Sequence, residues 1–295
     1  MEESFSQENI ERFIIALENT GNPDNDKRRE AEAFIECEKE KPGFLQFMMH
    51  ISSHPEYRGD KVFDINLAAA IQMKNIVSYH WKFTTEEDAN RKFDDFDDDL
   101  DENIKNILLS PEDKEFVKTH IIQAMSQAPS LGVLSQYEEI VHVVAKYEMP
   151  EKWTNAMTEI SDLLNQEAEA KVFGGLVALK EVVHRFEFEF KERREPLQEI
   201  VNNLFPRLEL IFGSLIDIDT EDAVRAKYII MQTFHLANQV RITNRYQDHK
   251  TFDTFINLII KVLIQGLPTP YIEKTEDPDK ISNLSKSDPW KLKTC

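Results

Sequence analysis

Three segments of the chain end alike: KNIVSYH at residues 74–80, VHVVAKY at residues 141–147 and KEVVHRF at residues 180–186. The aromatic residues near these ends, Tyr79, Tyr147 and Phe186, are separated by 68 and 39 residues, and the longer interval is close to one repeat plus an insertion. A two-helix unit of roughly 40 to 47 residues is the period of HEAT and armadillo repeats, whose hairpins bury their apolar faces on their neighbours. The sequence therefore predicts an all-α fold, an α-solenoid of HEAT repeats in which antiparallel helix pairs form a superhelical arch.

Apolar residues recur at three- and four-residue spacing along most of the chain, and short clusters of Pro, Gly, Asn and Asp interrupt them. This periodicity is typical of amphipathic helices. Glycine accounts for only 8 of the 295 residues, compared with about 7% in average proteins, and sheets and barrels need glycine in their tight turns. The pattern predicts helices at residues 6–20, 26–40, 44–53, 60–81, 111–127, 129–148, 150–165, 167–188, 196–215, 220–242 and 250–265.

Two segments depart from this pattern. Residues 86–102, EEDANRKFDDFDDDLDE, contain ten acidic and two basic residues, which predicts a solvated loop. This loop either attracts a basic partner or only increases solubility, and the sequence leaves both roles open. Residues 267–289 are polar and rich in proline, which is typical of a long connection between helices.

The predicted organisation has four parts. Residues 1–81 carry repeats one and two, residues 82–110 form the acidic insertion, residues 111–266 carry repeats three to five and the first helix of repeat six, and residues 267–295 form the polar connection and the start of the next helix. Because the sequence at Pro289-Trp290-Lys291 resembles a helix start and no capping repeat follows it, we expect the chain to be part of a longer protein.

The charge and the cysteine content exclude several classes of protein. The net charge of −19 disfavours direct binding to nucleic acid or to anionic membranes, which requires clustered Lys and Arg, and it favours basic protein partners. Two cysteines, Cys37 and Cys295, are too few for a disulfide framework and indicate a reducing compartment. The N-terminus lacks the features of a signal peptide, and no run of 18 apolar residues could span a bilayer.

The sequence contains no motif that indicates catalysis. The nucleotide-binding, dinucleotide-binding, nucleophile-elbow and kinase signatures are all missing, so the chain is predicted to be a protein without enzymatic activity and without a cofactor. His50 and His54 have the i, i+4 spacing of metal ligands on a helix, but no cysteine is near, no Glu follows His50, and Pro55 ends the helix. We therefore predict no metal site and interpret the pair as a surface and a capping histidine.

Specific motifs in the chain resemble those of the karyopherins. KRREAEAF at residues 27–34, together with AAAIQMKNIV at residues 68–77 and Trp81, is similar to the importin-β N-terminal domain, to which residues 1–81 are assigned. AKYEMPEKW at residues 145–153 resembles the turn into the fourth repeat of this family. The Pro196-Leu197 helix and Pro289-Trp290-Lys291 resemble the branch that contains importins seven and eight.

The resemblance implies a receptor that carries cargo through nuclear pores, shuttles between cytoplasm and nucleus, and is switched by the GTPase Ran. Its implied partners are Ran-GTP, nucleoporins with Phe-Gly repeats near residues 150–165 and 196–215, and basic cargo such as ribosomal proteins or histones. The implied Ran-binding residues are Arg28, Glu32, Lys74 and Asn75, although the same residues could instead cap and brace their own hairpins. In the acidic insertion, the residues predicted to attract cargo are Asp94, Asp95, Asp97, Asp98 and Asp99.

Two other functions fit the same residues. An exportin would share these N-terminal repeats but would bind Ran-GTP and cargo cooperatively, whereas an importin binds them competitively. A HEAT-repeat scaffold would assemble a basic partner without any dependence on Ran. The sign of the coupling between Ran-GTP and cargo distinguishes an exportin from an importin. Partner binding that is the same with GTP and with GDP would indicate a scaffold.

Overall fold

The computed structural model describes residues 7–57, 59, 63–85, 87 and 107–265. These residues form eleven α-helices and no β-strand, which confirms the all-α prediction. The helices are α1 (Gln7–Thr20), α2 (Asn25–Glu38), α3 (Phe44–Ser53), α4 (Ile65–His80), α5 (Pro111–Ser126), α6 (Leu131–Glu148), α7 (Ala156–Leu164), α8 (Glu169–His184), α9 (Glu195–Leu215), α10 (Glu221–Asn238) and α11 (His249–Ile264).

Side-chain caps decide where several helices begin. Asp24 caps α2 by accepting a bond from the amide of Asp26, so this helix starts at Asn25, one residue before its predicted start. The carboxylate of Asp64 accepts from the amide of Leu67 at 3.0 Å, and α4 therefore starts at Ile65 rather than at residue 60. The helix predicted from residue 150 starts at Ala156, after a turn that contains the buried Trp153. Asp24 and Asp64 thus satisfy amides that no helical carbonyl can reach.

The chain consists of two compact units, Met1–Glu159 and Ile160–Cys295. In the first unit, α4 packs against α3 and against α6. The hydroxyl of the buried Tyr137 on α6 lies 2.6 Å from Ser52 Oγ and 2.9 Å from Ser53 Oγ at the end of α3. The carboxylate of Asp113 on α5 accepts the amide of Gly43, the residue before α3, at 3.0 Å. Polar bonds between distant segments thus fix the order of these helices around an apolar core.

Two tryptophans join helix ends in the first unit. Trp81 and Trp153 are each only 1% exposed. The indole nitrogen of Trp81 donates to Glu148 Oε1 at 3.1 Å, and that of Trp153 donates to the carbonyl of Lys118 at 2.9 Å. A buried indole needs such an acceptor for its N–H, and both residues act as structural links between helices. Trp290 lies outside the described residues.

In the second unit, α8 and α10 lie against each other. A Cβ atom on Gly175 of α8 would lie 3.0 Å from Leu163 Cβ and 3.3 Å from the backbone nitrogen of Leu164. Glycine is therefore required by close helix packing at this position. Around α10, the rings of Phe234 and Phe255 stack with centroids 4.2 Å apart.

The buried guanidinium group of Arg194 connects the ends of two helices in the second unit. It donates to carbonyls that follow α8, those of Phe186, Glu187 and Glu189, and to those of Ala237 and Arg241 at the end of α10. The shortest of these bonds, to Ala237, is 2.6 Å long. Burial lowers the pKa of Arg194, but arginine keeps its charge in proteins. One side chain thus supplies donors to carbonyls at two helix ends, and of these only the carbonyl of Phe186 also accepts an amide of the described backbone, that of Glu189.

Replacing Arg194 by Ala is expected to lower the free energy of unfolding by about 2 to 4 kcal/mol, because several buried carbonyls lose their donor. Urea denaturation followed by circular dichroism measures this loss. The neighbouring Arg193 is exposed, and Arg193→Ala is the matched control, expected to change stability by less than about 0.5 kcal/mol. Equal stability of the two variants would contradict the structural role of Arg194.

Candidate binding surface of the first three helical pairs

Lys74 and Asn75 lie on the side of α4 that faces away from the core of the first unit. The buried side of this helix carries Ala69, Met73 and Val77, and the helical period places Lys74 and Asn75 on the other side. Both residues are half-buried. Lys74 Nζ donates to Asn75 Oδ1 at 2.6 Å, so the pair presents one ammonium and one amide group together. This position is compatible with a contact to a partner protein.

Arg28 and Glu32 lie in different surroundings, although the sequence assigns both the same role. The guanidinium group of Arg28 donates to the carbonyl of Asn22 at 3.3 Å and to the side chain of Asn25, so it braces the turn between α1 and α2. Glu32, one turn further along α2, is exposed. Among the described residues, no hydrogen bond or ion pair joins Arg28 or Glu32 to Lys74 or Asn75. The bracing role left open for Arg28 is thus observed, and the Ran contacts of the four residues remain predictions.

The two ends of the acidic insertion are held at the C-terminal end of α4. On the outgoing side, Lys114 Nζ donates to the carbonyls of Trp81 at 2.9 Å and Phe83 at 2.7 Å. On the returning side, the amide of Ile107 donates to His80 Nδ1 at 3.2 Å. Phe83, Ile107 and Leu109 are buried. The insertion therefore leaves and rejoins the helical array at one place. Its predicted cargo-attracting residues, Asp94, Asp95, Asp97, Asp98 and Asp99, lie outside the described residues.

The imidazole of His80 must be neutral to hold this junction, because Nδ1 accepts the amide proton of Ile107. Burial, followed by repulsion from Lys39, lowers the pKa of His80 to about 4. Burial likewise lowers the pKa of Lys114, although the carboxylate of Glu148 opposes this shift. Sequence periodicity could not reveal the junction, since it joins residues 27 positions apart.

His54 has the capping role that the sequence predicts. Its Nδ1 lies 2.7 Å from the carbonyl oxygen of His50, and its own backbone forms the C-cap of α3. The two imidazole rings lie with centroids 4.1 Å apart. In the described part of the chain, no helix is both long and apolar enough to cross a bilayer.

Comparison with known proteins shows which family the chain resembles. The family model described as "Importin-beta N-terminal domain" matches residues 31–127. The chain is 25% identical over 270 residues to the "Importin beta-like SAD2 homolog" of Arabidopsis thaliana, which covers 91% of this chain and 23% of that protein. It is 22% identical over 242 residues to Importin-8 of Homo sapiens, covering 81% of this chain and 21% of that protein. The chain is thus similar to importin-β family proteins, through a domain match over residues 31–127 and weaker identity over most of its length.

The chain spans less than a quarter of the length of the two relatives named above. A solved structure, "The exportin Cse1 in its cargo-free, cytoplasmic state", has a similar fold with a TM-score of 0.66 at 16% identity, and the match covers 92% of this chain and 27% of that one. This likeness confirms the prediction of a HEAT-repeat α-solenoid. Lys74 and Asn75 lie within the matched N-terminal domain, whereas Arg28 precedes it.

Acidification is expected to destabilise the chain through His80. Between about pH 6.5 and pH 4 the unfolded imidazole takes up a proton that the folded one does not, so the free energy of unfolding falls as the pH falls through this window. A pKa of about 4 in the folded state corresponds to a loss of about 3 kcal/mol.

Urea denaturation at several pH values measures this dependence. His80→Gln is expected to reduce it by about the same amount, while the exposed His235→Gln leaves it unchanged. A His80→Gln variant with the pH dependence of the original chain would contradict the role of His80.

Proposed function

We propose that this chain is the Ran-binding part of a nuclear import receptor. The observation that carries the proposal is the match of residues 31–127 to the importin-β N-terminal domain, with Lys74 and Asn75 on the outer side of α4. The relatives are named as importins and exportins rather than as enzymes, which supports a role in binding without catalysis. The receptor would shuttle between cytoplasm and nucleus.

In this proposal, Ran-GTP binds across the second helices α2, α4 and α6 and competes with cargo. Each ligand then lowers the affinity for the other by the same factor, because the coupling free energy between two sites is reciprocal. Basic cargo such as ribosomal proteins or histones is favoured by the net charge of −19. Nucleoporins with Phe-Gly repeats would bind on the first helices of the pairs, for example α9, where Leu210 is 66% exposed.

Two of the matched proteins are named as exportins, which favours an exportin as the second candidate function. Exportin-2 of Xenopus laevis is 21% identical over 252 residues, and the similar solved structure is also an exportin. An exportin would bind cargo more tightly in the presence of Ran-GTP. The effect of Ran-GTP on the affinity for a basic cargo therefore separates the two functions, since an importin releases the cargo.

The chain is expected to bind Ran-GTP more tightly than Ran-GDP. The double variant Lys74→Ala, Asn75→Ala should weaken binding of Ran-GTP about tenfold, as expected when a charged contact in an interface is removed. Fluorescence anisotropy with labelled nucleotide measures both states.

The matched control replaces Lys250 and Gln247, an exposed ammonium and amide group, by Ala and should bind as the original chain does. Circular dichroism must remain the same in all variants. Equal affinity for the two nucleotide states would indicate a scaffold without Ran dependence, and lost helicity in the Lys74, Asn75 variant would indicate that these residues only brace the hairpin.

The acidic insertion is expected to accelerate association with a basic cargo. Changing Asp94, Asp95, Asp97, Asp98 and Asp99 to Asn should slow association with a histone about three- to tenfold at low salt, and the difference should shrink at physiological salt, where the Debye length is about 8 Å. Stopped-flow mixing at two salt concentrations measures the rates. Equal rates for both proteins at both concentrations would leave the insertion with a solubilising role only.

A further inference from the structure

A cavity of about 330 Å³ opens beside α1, α2 and the start of α3 in the first unit. Four phenylalanine residues line it, and their rings form a cluster around Phe13. The centroid of Phe13 lies 5.4 Å from that of Phe34, 5.8 Å from that of Phe44 and 4.9 Å from that of Phe47. Tilted and edge-on arrangements at these distances are favourable for aromatic rings. The walls therefore suit a further aromatic ring.

The rim of this cavity carries a small excess of positive charge in a strongly acidic chain. Arg12, Lys41 and Glu38 line it, and both cations are exposed. Glu38 already accepts a bond from Lys41 Nζ at 2.6 Å, and the guanidinium group of Arg12 lies 5.4 Å from the centroid of the Phe34 ring. Two cations thus face one carboxylate.

A shallower groove of about 260 Å³ adjoins the cavity and shares Arg12 and Phe34 with it. It is lined by Ile15, whose side chain is 56% exposed, and by Lys27 and Glu30. Cavity and groove together follow α1 and α2 and carry three cations against two carboxylates. This surface could accommodate an extended peptide rather than a single side chain.

We propose that this surface binds an acidic segment of a partner protein, which places a phenylalanine ring in the cavity against the cluster of Phe13, Phe34, Phe44 and Phe47 and its flanking carboxylates against Arg12 and Lys41. Charge complementarity decides the occupant. A basic segment would be repelled by the rim, whereas an uncharged one would leave the two cations without added partners. None of the four proposed Ran contacts lines the cavity or the groove, although both surfaces include α2. The proposal does not depend on the proposed function.

The full chain with a labelled peptide, Gly-Ser-Asp-Asp-Phe-Asp-Asp-Ser-Gly, tests the proposal by fluorescence anisotropy. Replacing the Phe of the peptide by Ala should weaken binding at least about tenfold, because the ring no longer fills the cavity. Replacing its four Asp by Asn should weaken binding about fivefold at low salt. The double variant Arg12→Glu, Lys41→Glu should lose at least about tenfold in affinity for the acidic peptide.

The matched control is the double variant Arg29→Glu, Lys250→Glu, which changes the net charge equally at exposed residues that do not line the cavity. It should bind within about twofold of the original chain after the general charge effect is screened by salt. Unchanged melting curves exclude unfolding of the Arg12, Lys41 variant. Equal binding of the Phe and Ala peptides, or of the Asp and Asn peptides, would overturn the proposal.

Two other occupants are separated by the same variants. If deletion of residues 88–105 alone raises the affinity for the peptide tenfold or more, the acidic insertion of the chain itself is the occupant and the partner proposed here is wrong. If sedimentation shows self-association that the Arg12→Glu, Lys41→Glu variant abolishes, the occupant is a second copy of the chain, and the proposal is likewise overturned.

Discussion

Buried carbonyl groups at helix ends are the constraint on which this array of helices depends. Each helix leaves its last carbonyls without intrahelical partners, and stacking of the pairs removes these groups from water. Cationic side chains from neighbouring segments supply the missing donors. Lys114 serves the end of α4, Arg194 serves the ends of α8 and α10, and Lys227 donates to the carbonyls of Ile216 and Ile218 after α9. Within each unit, apolar side chains form the core, and these cations donate hydrogen bonds to the carbonyls at the helix ends.

The same constraint places the acidic insertion. Lys114 holds the carbonyls of Trp81 and Phe83, and His80 holds the amide of Ile107, so the strongly charged segment interrupts the sequence without interrupting the packing of α4 on α6. An insertion whose ends are fixed at one place adds little strain to the repeats on either side. A charged segment can therefore be carried here at low cost to stability.

Much of the fold follows from the sequence because helix pairs are encoded locally. Apolar spacing predicted the eleven described helices, two of which, α4 and α7, start five or more residues later than predicted. The start of α4 was predicted wrongly because the apolar spacing extends to residues before Asp64. The Asp64 carboxylate caps the helix, which starts at Ile65. The bonds of Arg194 and His80 could not be predicted, since they join residues 43 and 27 positions apart. The phenylalanine-lined cavity likewise depends on three helices meeting. Arg28, chosen for its motif, is bound to its own turn.

The proposed Ran-binding surface consists of α2, α4 and α6, the second helices of the first three pairs. Hydrogen exchange of the full chain, measured by mass spectrometry with Ran-GTP and with Ran-GDP, tests it most directly. Ran-GTP, but not Ran-GDP, is expected to protect the backbone amides of residues 25–38, 65–80 and 131–148 from exchange, because binding there suppresses local opening of these helices. Protection confined to α1, α3 and α5, or the same pattern with both nucleotides, would contradict it.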